Sequence, residues 1–276
     1  MKIYIFTFLL LLSPLHAERI VANYDVSFGI FGEIGKAEIA YENNQDDYVV
    51  HVHAWTTGMA AFLSQDRQED YISQGKIVDG ELRPDVFVKY RKNRRYTKTN
   101  VYAFDHANKK VFEYISKDSL VQHSRLDIQT MQAEKTESQE FEYSEEAFRF
   151  YTHNDLLSLF FNTKKTLPAL KNGDSRKLAA IGSRSENCEI DIKIPDGQLR
   201  QELEAIMPGN KGQLVTIIIN QDIFQSEKGE LHVNFDEDSF AKDVLLKDVI
   251  MFGDITGTRT YQTQKSKSPA EKLTRN

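Results

Sequence analysis

From Ala22 the chain alternates residue by residue: Ala22, Tyr24, Val26, Phe28 and Ile30 share one parity, and Asn23, Asp25 and Ser27 the other. A period of two is the pattern of a strand with one buried face, because successive side chains leave the pleat on opposite sides. The alternation resumes at Ala37, Ile39 and Tyr41 against Lys36 and Glu38, and again in YVVHVHAW, residues 48–55. Strands are also expected near residues 69–78, 85–92, 95–104, 110–115, 187–194 and 214–220, with closing strands in GELHVNFDED and DVLLKDVIMFGDITGTRTY. Turn-forming polar clusters such as Asp79-Gly80 and Lys92-Asn93-Arg94 separate the early ones. Helical patterns are few: TTGMAAFLS, LLSLFF behind a cap at Asn154 or Asp155, and GQLRQELEAIM. Many short strands and little helix predict a mainly β protein, built on a curved, largely antiparallel sheet or half-barrel with one or two short helices. A single β-rich domain is expected over residues 18–263. Within it, residues 116–146 are polar, end in the acidic run EKTESQEFEYSEE, and read as an excursion or loop. The polar tail, residues 264–276, is expected to be disordered.

Residues 1–17 have the form of a signal peptide: Lys2, an apolar stretch over residues 3–12, and Ala17 before the cut. They predict export to the periplasm. No later segment reaches the roughly 18 apolar residues of a membrane-spanning helix. A formal charge of −6 argues against a dedicated nucleic-acid binder. Cys188 is the single cysteine, so no disulfide forms within the chain, and burial is its expected state.

The stretch SFGIFGEIGK, residues 27–36, places glycines at every third position, a spacing that invites comparison with a phosphate loop. A Walker loop needs Lys followed by Ser or Thr at the start of a helix, whereas Lys36 is followed by Ala37 and a strand. Gly29, Gly32 and Gly35 are therefore expected to form a bend between strands. His51 and His53 project from one face of their strand together with Trp55, but a metal site needs a third or fourth ligand. His106, His123, His153 and His232 supply one only if the fold brings it there. Asp236, Glu237 and Asp238 read as a solvated turn, since Phe240 and Ala241 stand where a calcium loop needs an acidic ligand and glycine. No hydrolase, metalloprotease or reactive-cysteine motif is present, so no catalytic residue, metal or cofactor is assigned. The densest charge lies in KYRKNRRYTK, with Lys89, Arg91, Lys92, Arg94, Arg95 and Lys98 expected to cluster at a hairpin tip near Asn93. Such a cluster suits an anionic headgroup, an acidic partner, or the chain's own acidic segment; its plainest role is to deter strand pairing at an edge.

The order of YDVSFGIFGEIGKA, AWTTGM, GELRPDV, YAFD, NDLLSLFF, KGELHVNFDED and FGDITG resembles that of an exported bacterial family, domain of unknown function 3108. The chain departs from it at Asn234-Phe235, where tryptophan is usual, and in its expanded acidic segment. The resemblance implies an envelope-associated protein with a curved antiparallel sheet and no established catalytic residues. The leading expectation is a non-enzymatic periplasmic binder of an apolar or amphipathic component: a lipid, glycolipid or lipoprotein. Phe28, Trp55, Phe87 and Tyr102 are its expected apolar lining, and the basic hairpin its headgroup attraction. The alternatives are a scaffold or adaptor of an envelope complex and a hydrolase with an unrecognised site.

Overall fold

The structure, a computed structural model, describes residues 18–44, 46–127, 132–183, 188–207, 212–218, 229–249 and 253–263. The expected signal peptide and tail lie outside these residues. The first half of the chain forms β1 (Glu18–Phe28), β2 (Glu33–Asn43), β3 (Asp47–Thr56) and β4 (Gln68–Val78), with helix α1 (Gly58–Ser64) between the last two. It continues through β5 (Glu81–Lys92), β6 (Tyr96–Asp105), β7 (Lys110–Asp127) and β8 (Gln132–Ala147). Helix α2 (Leu156–Thr166) follows, then β9 (Ser175–Ala179), β10 (Glu189–Lys193) and helix α3 (Gly197–Ile206). The last strands are β11 (Gln213–Ile218), β12 (Glu230–Phe235), β13 (Ala241–Val249) and β14 (Gly253–Gln262).

All the described strands join one open, antiparallel, 14-stranded sheet in the order β8-β7-β6-β5-β4-β3-β2-β1-β14-β13-β12-β11-β10-β9. From β1 at the centre the chain meanders out to the β8 edge, crosses to the β9 edge, and meanders back. First and last strands therefore meet in the middle, with Ala22 opposite Gln262 and Phe28 opposite Ile255.

The crossing carries α2 over the inner face, and the sheet curves around it. Phe161 stacks on Tyr41 of β2 at 5.1 Å and meets Phe240 edge-on at 5.4 Å, while Phe160 approaches Phe235 of β12. Leu159 and Leu167 pack with Ile20, Ala22, Ile190, Ile192, Val215 and Ile217. Even-numbered residues of β1 and β3 supply the inner face, which is the parity expected from the sequence. Asn162 ties the helix to β5 by accepting from the Leu82 amide at 2.8 Å and donating to the Leu82 carbonyl at 2.9 Å. Its start is a capping box: Ser158 N donates to the Asp155 carboxylate at 2.8 Å, and Asp155 N donates to Ser158 Oγ at 2.9 Å.

The glycine stretch is a corner. Gly29 and Gly32 have φ of 43° and 71° around a short 3-10 turn that joins β1 to β2. Gly75 has a different role, at the bulge where β4 meets Pro84 of β5. A Cβ there would lie 2.1 Å from the Arg83 carbonyl oxygen and 2.7 Å from Pro84 Cα, both backbone atoms. Gly75→Ala is expected to cost about 1–3 kcal/mol by forcing the two strands apart. Equilibrium urea unfolding checks it, and an unchanged midpoint would show that the bulge relaxes freely.

Among the described residues, 116–127 and 132–146 are strand and not loop. They are the greater part of the antiparallel pair β7–β8, matched without interruption from Phe112–Ala147 to Asp127–Gln132. The short strand β9, polar and mostly exposed, has no counterpart in the sequence expectations.

Candidate functional site

Alternation sorts the basic run onto two faces. Lys89 and Arg91 of β5 point inward, whereas Lys92 lies on the outer parity and is exposed. Arg94 and Arg95 lie exposed in the β5–β6 turn, where Arg94 pairs with Asp66 at 2.6 Å. Lys98 of β6 stands directly opposite Arg91 and points inward as well. The six cations therefore do not form one hairpin-tip cluster: Lys89, Arg91 and Lys98 belong to the interior of the curve.

Register extends this arrangement across five strands. Glu69 pairs with Arg91, Arg91 with Lys98, Lys98 with Lys117, and Lys117 with Glu142. The charges along this row run minus, plus, plus, plus, minus. Glu69 neutralises Arg91 at 2.9 Å and Glu142 neutralises Lys117 at 3.0 Å. Lys98, between them, has no carboxylate within ion-pair distance among the described residues. Like charges directly opposite on a sheet destabilise it by about 0.2–1 kcal/mol per pair, so the row leaves one uncompensated cation between two others.

These residues border a recess of about 270 Å³ whose walls include Tyr71, Lys89, Arg91, Lys98, Tyr102 and Leu156. Lys89 donates to the Gly182 carbonyl and lies 6.0 Å from the ring centres of both Phe87 and Tyr102. Asn100 donates to Glu113 at 2.9 Å on the same wall. The Tyr71 hydroxyl donates to Glu69 at 2.6 Å. Burial pushes the Glu69 carboxyl up, but Arg67, the Tyr71 hydroxyl and Arg91 outweigh it and hold the group below its usual range. Burial, then the Glu69 charge, pushes the Tyr71 hydroxyl well above its usual range, so it remains a donor. The recess thus presents cations and aromatic surface together.

The four aromatic residues expected to line one trough are not together. Phe87 is fully buried against Tyr102, Val111, Ile181 and Cys188, so it forms the core beneath the recess and does not line it. Tyr102 reaches the recess. Trp55 is on the opposite face of the sheet, because it shares parity with His53 and not with Val50. Phe28 stacks on Phe31 at the β1–β2 corner. With α2 filling much of the curve, the described residues leave separate recesses and no continuous apolar trough.

Other sequence candidates have structural places. Cys188 is buried, as expected, and burial pushes its thiol up to about 11, which makes it a poor nucleophile. His232 is buried and bonds to Thr216; His106 bonds to Tyr151 and the Pro84 carbonyl; His123 bonds to Ser138. Asp236 is more than a solvated turn: it accepts from the Asp238 and Phe240 amides and pairs with Arg259, with only 13% of its side chain exposed.

No curated protein matches the chain. A solved structure, the beta-barrel-like protein of domain of unknown function DUF1849 from Brucella abortus, is similar over 89% of this chain and 97% of that one, at 10% identity and a TM-score of 0.44. The sequence profile of the family described as "Protein of unknown function (DUF3108)" matches residues 23–259, most of the chain, and the protein belongs to that family.

Proposed function

We propose that the protein is an exported, non-enzymatic binder of an amphipathic envelope component, a lipid, glycolipid or lipoprotein, whose anionic group is held by Lys98, Arg91 and Lys89. The observation that carries this reading is the uncompensated Lys98 in the row Glu69–Arg91–Lys98–Lys117–Glu142, at the wall of an open recess. An anion there offsets a repulsion already built into the sheet. Tyr71, Tyr102 and Leu156 offer apolar surface to the part of the ligand next to its charge. Ligand sites for drug-sized molecules occupy about 300–1,000 Å³, so a recess of about 270 Å³ suits a headgroup and not several acyl chains. The leader-like residues 1–17 support export to the periplasm. This reading assigns no catalytic residue and no cofactor.

Native mass spectrometry of the protein purified from periplasm, followed by organic extraction, tests it. An anionic lipid or glycolipid in stoichiometric amount is the expected result. A clean apo mass, with no uptake from added envelope extract, would count against a carrier.

A scaffold reading has one specific observation in its favour. Helix α1 exposes Met59, Phe62 and Leu63 at 73%, 69% and 74%. The β5–β6 turn is tied to the end of that helix by the bond from Arg94 N to Gln65 O, and it sets Arg94 and Arg95 beside the apolar patch. Crosslinking from Phe62 in cells to one defined protein, with no co-purifying lipid, would favour this second reading.

A further inference from the structure

On the outer face, β3 presents His51, His53 and Trp55 in succession, and β4 places Asp70 directly opposite His53. His51 Nε2 lies 2.7 Å and His53 Nδ1 lies 2.9 Å from the same Asp70 oxygen, Oδ1. All three ligand-type atoms fall within 4.8 Å of one another. We infer that His51, His53 and Asp70 form a binding site for a divalent transition metal ion of borderline softness, zinc first. The inference is independent of the recess, which opens on the opposite face.

The chemistry of the set decides the metal. Two imidazoles and one carboxylate suit zinc, copper, nickel or cobalt, whereas calcium and magnesium require more oxygen ligands. In a tetrahedral zinc site with bonds near 2.1 Å, ligand atoms stand about 3.4 Å apart. The observed triangle therefore closes around an ion through side-chain adjustments of about 1 Å, well within rotamer freedom. Each imidazole binds in its neutral form and keeps its proton on the far nitrogen, Nδ1 of His51 and Nε2 of His53. Two adjacent paired strands supply the ligands, so the backbone spacing is set by the sheet itself. Glu38 of β2 stands across from His53 on the same face and adds negative charge beside the site. The side chains of His51, His53 and Asp70 are 41%, 35% and 22% exposed, which leaves the remaining coordination position open to water or to an exogenous ligand. Three protein ligands with an open position mark an exchangeable or reactive metal, in contrast to a closed structural site.

The site carries its own reporter. Trp55, the single tryptophan of the chain, stacks on His53 with ring centres 4.9 Å apart. Titration of zinc into the full chain, freed of any histidine tag, is expected to change tryptophan emission in a saturable way, with one equivalent bound by calorimetry. Copper is expected to quench the same emission. The double variant His51→Ala, His53→Ala loses both responses, and Asp70→Asn weakens zinc binding by about tenfold or more. No saturable response of the wild-type protein to micromolar zinc would overturn the proposal without recourse to any variant. An undiminished response in the folded double variant, or an equal one to calcium or magnesium, would overturn it too.

Discussion

Asp155→Ala is expected to destabilise the fold by about 3–6 kcal/mol, through the lost helix cap and the buried partners left without a bond. Asp155 is fully buried, and three elements meet at its carboxylate. Tyr48 of β3 and Ser73 of β4 share a hydrogen bond of 2.8 Å, and Ser73 Oγ donates to Asp155 Oδ2 at 2.6 Å. Ser158 N donates to the other oxygen at the start of α2. Alanine removes the acceptor and strands the Ser73 hydroxyl and the Ser158 amide, while Asp155→Asn keeps an acceptor and costs less. Burial pushes the Asp155 carboxyl up to about 6, against the opposing pull of hydrogen bonds from Ser73 and the Ser158 and Leu157 amides. An unfolded aspartate titrates near 3.9, so between that value and about 6 the native state holds the extra proton. The protonated group's contribution is therefore full below about pH 4 and is lost as the pH rises through 6. Acidification from neutral pH should thus stabilise the wild type relative to Asp155→Asn, by up to about 3 kcal/mol. Chemical denaturation of both proteins at neutral pH and near pH 4.5 measures the difference. A gap that stays constant or moves the other way would show that the buried carboxylate remains ionised throughout.

Lys98→Glu should have opposite effects on binding and stability. The row of like charges becomes alternating in sign, so the free protein is expected to gain up to about 1 kcal/mol. Uptake of an anionic lipid or glycolipid should fall by tenfold or more, because the central cation of the recess is then a carboxylate. Lys98→Gln should lie between the two in both respects. Added salt should stabilise the wild type relative to Lys98→Glu, since screening relieves repulsion in one and weakens attraction in the other. Unchanged lipid uptake by a folded Lys98→Glu protein would remove the recess from the function. Loss of stability in place of a gain would show that the row is not a repulsive one.

The fold was legible where the interactions are local. Alternation in β1 to β3 identified both the strands and their buried parity, and Asp155 followed by LLSLFF marked the start of α2. The β7–β8 pairing beyond Ser119 was not legible, for a physical reason. β6 ends its pairing with β7 at Tyr96–Ser119, so residues further along β7 and β8 pair only with each other, and of these 120–123 and 135–139 are exposed or half-buried. Without a buried face, no alternation is required. The recess was half legible. KYRKNRRYTK announced the charge, but its division depends on parity within β5 and β6, and its partners Glu69, Lys117 and Glu142 come from neighbouring strands through register. The same reason separates Trp55 from Phe87: both are aromatic strand residues, and only the pairing of β3 with β4, and of β4 with β5, shows that they face opposite ways. That α2 would enter the curve was beyond any local pattern. For His51 and His53, the spacing was visible, and the missing ligand Asp70 arrived by pairing of β3 with β4.

The junction of β1 with β14 sets the order in which the molecule can be completed. β1 is the first strand of the described fold in sequence and β14 the last, yet they are neighbours through seven register pairs from Ala22–Gln262 to Phe28–Ile255. Closing a loop that spans both meanders is a slow step, since its entropy is lost before any contact compensates. The two meanders, β1 to β8 and β9 to β14, have mostly local pairings, but they become one sheet only when β14 pairs with β1. A chain ending before Gly253 would hold two half-sheets with no strand pairing between them, in contact through α2. Until β14 docks on β1, the sheet is incomplete at its middle, and the facing edges of both half-sheets stay open to pairing with other strands.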